Sequence, residues 1–235
     1  MWSGADGRTA RAWQCDVVFG LDHAIADLSS GGTLLLVLAV SLLLGLRHAS
    51  DPDHLAAVTT LAAGTEVPVR QAARLGAAWG AGHATSLFVL GLPIVLWRAY
   101  LPHRVQQGAE VVVGLLIVAL ALWLLARWHV GTLMTRARVR SRATAFGIGL
   151  VHGAGGSAGI GILLLAAIPD RSVALAGLAV FAGGTAVSMA ILSAGFGRAL
   201  GGSAAVRLAP VLGTVSLVFG AWYTLAALGL APYVF

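Results

Sequence analysis

Gly45-Leu46-Arg47-His48-Ala49-Ser50-Asp51-Pro52-Asp53-His54-Leu55-Ala56-Ala57-Val58 is the stretch on which the reading of this chain turns. Five ionisable side chains interrupt a run otherwise fit for hydrocarbon. Thr33 to Leu46 is almost wholly apolar, and Leu55 to Ala63 is apolar apart from Thr59 and Thr60. Neither flank reaches the roughly 20 residues a helix needs to cross a bilayer, but flanks and motif together do. The charges therefore fall inside the membrane, where a central Asp or Arg costs roughly 2.5 to 3.5 kcal/mol on insertion scales. Arg47, His48, Asp51, Asp53 and His54 read as a path for an ion or substrate. The plainer alternative is a proline kink whose charges pair with one another for structure.

Imidazole and carboxylate together suit a first-row divalent metal, and no soft ligand lies near them. On a straight helix His48 and His54, six residues apart, would point in different directions. Pro52 alters that geometry. It has no N–H for the carbonyl of His48, its ring clashes with that carbonyl, and it biases Asp51 away from helical angles. Two half-helices are expected. A break at membrane depth is tolerated where it is buried in protein or lines a wet cavity, and transporters build midplane ion sites from such discontinuous helices.

Composition sets the class. Of 235 residues, 58% are hydrophobic and 10% charged, against about 25% charged in an ordinary soluble domain. The chain reads as an all-α polytopic membrane protein with six transmembrane helices: 33–63, broken at Pro52, then 74–97, 108–126, 143–168, 172–198 and 204–230. Residues 1–32 read as a polar extracytoplasmic segment and 33–230 as the transmembrane domain. No apolar core follows a basic start, so a cleavable signal peptide is not expected. Asp22 and His23 are candidates for gathering metal at the mouth. All 15 basic residues are Arg, and the net charge is +6. In a membrane chain that excess serves orientation and lipid headgroup contact, not nucleic acid. Cys15 stands alone, so neither an intrachain disulfide nor a thiolate cluster can form. Trp97, Trp123 and Trp128 read as interface anchors, and His103 and His129 as solvated surface residues.

Nine arginines fall on the side of the 64–74, 127–142 and 198–207 segments and five on the other. The positive-inside rule then places both termini outside the cytoplasm, in a multi-pass protein of the inner membrane. With that orientation His54, His83 and His152 all lie roughly 12 to 15 Å from the cytoplasmic edge. There is an internal echo as well. Gly45-Leu46-Arg47-His48-Ala49 recurs as Gly149-Leu150-Val151-His152-Gly153, an offset of 104, and Gly80 and Ser86 are echoed by Gly184 and Ser188. Three helices per copy give a 3+3 inverted repeat.

His48-Ala49-Ser50-Asp51-Pro52-Asp53-His54 resembles the H-x-x-x-x-D-H motif of the nickel/cobalt transporter family, and Gly82-His83-Ala84-Thr85 is similar to that family's G-H-S-T segment. His152-Gly153-Ala154-Gly155-Gly156-Ser157 resembles a stretch of the shorter, six-helix members associated with urease accessory function. The acidic L-G-x-D-T-A-T-E motif of the larger members is absent. The resemblance covers about residues 33 to 230 and implies a metal path through His48, Asp53, His54, His83 and His152. Asp53 is the first choice of carboxylate ligand. Asp51 is a second, or pairs with Arg47, which balances charge when the site is empty. Thr85 and Ser157 are candidate oxygen partners.

The expected function is a secondary transporter of nickel or cobalt ions, more in the direction of uptake than efflux, with the metal as substrate and no cofactor. Protonation of His or Asp would weaken binding and link release to pH. No phosphate-cradling motif occurs, so the chain carries no ATPase. No water-activating base stands beside the ligands in the manner of H-E-x-x-H, which argues against an enzyme. A metal-binding accessory or sensor subunit is the competing reading, and a homo-oligomer is compatible with either.

Overall fold

A computed structural model describes residues 34–63, 68–98, 102–133, 141–155, 158–200 and 203–232. The N-terminal segment with Cys15, Asp22 and His23, most of the arginine-rich loop, and Ser157 lie outside the described residues. Among those described there are eight helices and no strand: α1 (Leu34–His48), α2 (Pro52–Ala63), α3 (Val69–Trp97), α4 (His103–His129), α5 (Arg142–His152), α6 (Ala158–Ala166), α7 (Arg171–Ala199) and α8 (Ser203–Ala227).

The helices α3, α4, α7 and α8 are each long and apolar enough to cross a membrane, and α1 with α2 forms one bent span, its halves meeting at 50°. Pro52 is the first residue of α2, the position where its missing N–H costs nothing. The His48 carbonyl is not freed for a ligand, as the sequence suggested: it accepts from the Asp51 N–H at 3.1 Å, closing a tight turn. Asp51 in turn accepts from the Leu55 N–H at 3.0 Å and starts α2.

The expected fourth span is also interrupted. α5 ends at His152, and Gly153 to Gly155 leave the helix before the nine-residue α6. No proline marks this break. Its cause is the glycine-rich composition, each glycine giving up roughly 1 kcal/mol of helix propensity relative to alanine, together with close packing: a Cβ on Gly153 would meet the His83 backbone, and one on Gly155 the Ala109 backbone. Of the six expected spans, the first broken at Pro52, the described residues show four long apolar helices and the bent α1–α2 pair, while the span expected at 143–168 is divided between α5 and α6.

The two central helices, α3 and α7, lie against one another through small residues, with Gly76 facing Ser193 and Gly80 facing Ala186. Without a hydrophobic force between helices in lipid, such close approach is what holds them. α1 packs on α7 and α5 on α3, while α4 pairs with α8.

These contacts recur in matched pairs. A Cβ on Gly45 would strike the Phe181 carbonyl, and one on Gly149 the Trp79 carbonyl. Gly184 sits on the Leu42 carbonyl, Gly82 on that of Phe146. The Ser188 hydroxyl donates to the Leu46 carbonyl at 2.9 Å, and the Ser86 hydroxyl donates to the Leu150 carbonyl at 2.6 Å. Gly114 meets the Thr224 backbone N, and Gly220 that of Val118. The offset is 104 between α1 and α5, but 102 between α3 and α7 and 106 between α4 and α8. Gly184 therefore answers Gly82, not Gly80, because the connections between helices differ in length.

Candidate metal centre

Four imidazoles and one carboxylate converge where the two broken segments meet the central helix α3. His48 comes from the last turn of α1 and Asp53 and His54 from the first turn of α2. His83 comes from the middle of α3, and His152 from the last residue of α5. All five are buried by protein: His48 and Asp53 are 4% exposed, His54 1%, and His83 and His152 0%.

The bend makes this possible. Instead of facing apart, the rings of His48 and His54 lie edge to face with centroids 4.6 Å apart. His54 is also 4.8 Å from His83 and 4.6 Å from His152, so it is the hub. His48 Nε2 and His83 Nε2 are 3.2 Å apart. Two like nitrogens at that distance are held either by a single proton between them or by an ion that accepts lone pairs from both.

Carboxylates orient the rings from outside. Asp51 Oδ2 lies 2.9 Å from His48 Nδ1, which turns Nε2 inward. Asp53 spans two rings, with Oδ1 3.0 Å from His54 Nδ1 and Oδ2 3.3 Å from His152 Nε2. Hydrogen bonds of this kind set the tautomer and raise the basicity of the opposite nitrogen. Among the described residues three buried imidazole nitrogens have no hydrogen-bond partner, His54 Nε2, His83 Nδ1 and His152 Nδ1, and the indole Nε1 of Trp79 beside them has none either. An unsatisfied polar atom in a protein interior costs about 1 to 3 kcal/mol, and leaving three in one cluster suits groups kept for lone-pair donation. Two sets have ligand atoms within 4.8 Å of one another, His48–His54–His83 and Asp53–His54–His152.

Other expected residues are not among the five buried ones. Arg47 is exposed, and Asp51 is only half-buried. Thr85 is exposed, and its hydroxyl donates to the Ala81 carbonyl at 2.7 Å, away from the imidazoles. His103 and His129, at the two ends of α4, are both exposed.

Two aromatic walls are absent from the reading of the sequence. The Phe181 ring lies 5.6 Å from His48, and Trp79 lies 5.8 Å from His152 and 6.1 Å from His54. Trp79 and Phe181 answer one another at the 102 offset, as His48 and His152 do at 104. That relation is the one sign in the sequence from which they could have been found.

Helices of membrane-spanning length around a buried imidazole–carboxylate cluster define the class: an all-helical membrane protein with a centre of metal-ligand chemistry. Among known proteins, the chain is similar to the urease accessory protein UreH of Bacillus sp. (strain TB-90), 26% identical over an alignment of 170 residues, with 66% of this chain and 74% of the relative covered. This similarity supports the nickel/cobalt-transporter-type resemblance carried by the motif. No family model matches the chain, and no solved structure does.

Proposed function

We propose that the protein is a secondary transporter that carries Ni²⁺ or Co²⁺ across the cytoplasmic membrane, in the direction of uptake. The observation that carries the reading is the convergence of His48, Asp53, His54, His83 and His152 from four helices into one protein-enclosed cluster at a double break. Imidazole and carboxylate are suited to these borderline divalent ions, and the ion is cargo rather than a resident cofactor. The arginine distribution supports both termini lying outside the cytoplasm. The matched contacts support a 3+3 inverted repeat, in which α1/α2, α3 and α4 are answered upside down by α5/α6, α7 and α8.

The test is flux of radioactive nickel and cobalt into proteoliposomes holding the purified protein, beside His48→Ala and His54→Ala. Flux that both substitutions abolish in folded protein supports the reading; unchanged flux in either defeats it. A second reading is favoured by the similarity to an accessory protein. A subunit that binds metal and passes it to a partner would bind tightly in these vesicles and move nothing.

A further inference from the structure

The cluster holds two complete ligand sets, not one. His48, His54 and His83 form a set of three imidazoles, while Asp53, His54 and His152 form a set with a carboxylate. Only His54 belongs to both. It stands between the other rings, with centroids at 4.6 Å to His48, 4.8 Å to His83 and 4.6 Å to His152, whereas His83 and His152 are 6.0 Å apart.

We propose that these are two alternative seats for one divalent cation, exchanged by pivoting on His54. Two ions at once would place four positive charges in a low-dielectric interior with a single shared imidazole between them, and their repulsion opposes that state. One ion has a continuous route, since His54 need never let go while His48 and His83 are exchanged for Asp53 and His152. Asp53 changes role in the exchange. In the imidazole seat it orients His54 through Oδ1; in the other it supplies the ligand oxygen, with Oδ2 already 3.3 Å from His152 Nε2.

The seats also lean toward different halves of the molecule. His48 is backed by Phe181 of α7, and His152 by Trp79 of α3. The two histidines stand at corresponding positions of the internal echo, as do the two aromatics, so a shift of one half against the other favours one seat at the expense of the other. The inference rests on the cluster being a metal path, and adds that the path has two stations within it.

The experiment titrates Co²⁺ and Ni²⁺ into purified protein in detergent. It counts bound ions, and it counts imidazole ligands to Co²⁺ by X-ray absorption and pulsed electron paramagnetic resonance. Wild type should bind one ion. His83→Ala and His152→Ala should each still bind one, within about tenfold of wild type, and His54→Ala should lose more than the roughly 100-fold at which removal of an outer-sphere partner tops out. The ligand count separates the seats: two imidazoles and a carboxylate in His83→Ala, three imidazoles in His152→Ala. Should His54→Ala fail to fold, the double variant His83→Ala/His152→Ala replaces it and should lose binding while His54 remains. Two ions bound at once, an equal loss of binding in either single variant and His54→Ala, or one unchanged ligand set in both single variants would overturn the proposal. Vesicle flux is scored separately. Wild-type binding with this pattern but no flux defeats the transport reading and leaves two seats; flux with a single-seat pattern does the reverse.

Discussion

Asp51 shows what a single residue contributes here. Its carboxylate, 2.9 Å from His48 Nδ1, holds that ring with Nε2 toward His83. Asp51→Asn keeps the shape and removes the charge. It should weaken nickel binding by no more than about tenfold, the low end of the usual loss on changing an outer-sphere partner, because the Asp53–His54–His152 set does not depend on it; titration of the purified variant reads this. His103→Ala, at an exposed helix end, should bind as wild type in the same titration. The five buried ligand candidates were legible because an imidazole or carboxylate inside an apolar helix is costly unless something uses it. The partnership of Asp51 with His48 was not, since it depends on a turn that brings residues three apart together across a broken helix. Trp79 and Phe181 were hidden for a different reason: aromatic side chains are ordinary in apolar helices, and only tertiary packing brings these two against the histidines.

At the scale of the element, the two breaks teach opposite lessons. The first was readable because proline has one strong meaning inside a helix. The second was not, because glycine is tolerated in membrane helices, and what tips residues 153–155 out of α5 is contact with the backbones of α3 and α4. Packing at such glycines makes a paired prediction. Gly149 lies directly against the Trp79 backbone, whereas Gly147, two residues away on the same helix, has open space around it. Gly149→Ala should destabilise the protein by about 1 to 3 kcal/mol, the usual cost of overfilling a tight contact. Gly147→Ala should be neutral or slightly stabilising, by up to about 1 kcal/mol of helix propensity. Thermal unfolding in detergent reads both. An equal effect of the two would mean that α5 does not ride on α3 at this point.

For the whole molecule the question is which way it faces. α4 carries one exposed histidine at each end. In a Cys15→Ser background, which removes the single cysteine of the sequence, His103→Cys should react with a membrane-impermeant maleimide in intact cells. His129→Cys should react only after permeabilisation. The reverse pattern would invert the orientation read from the arginines. The matched contacts give a second test at this scale. Ser86→Ala and Ser188→Ala each remove a hydrogen bond from a central helix to a carbonyl of the other half, and such bonds average about 0.6 kcal/mol in membrane proteins. Unfolding midpoints should fall by similar small amounts in both. The matched contacts were legible where the echo repeats short strings, at His48 and His152. It was misaligned at Gly80, because the offset of 104 had been carried into helices joined by connections of other lengths.

The depth at which the imidazoles are enclosed bears on time as well as on place. With His83 and His152 fully covered and His54 at 1% exposure, an ion seated among them would be enclosed by the described helices. Departure must wait for the helices to part. The residence time of a caught ion would therefore report on the breathing of the bundle as well as on the strength of its ligands.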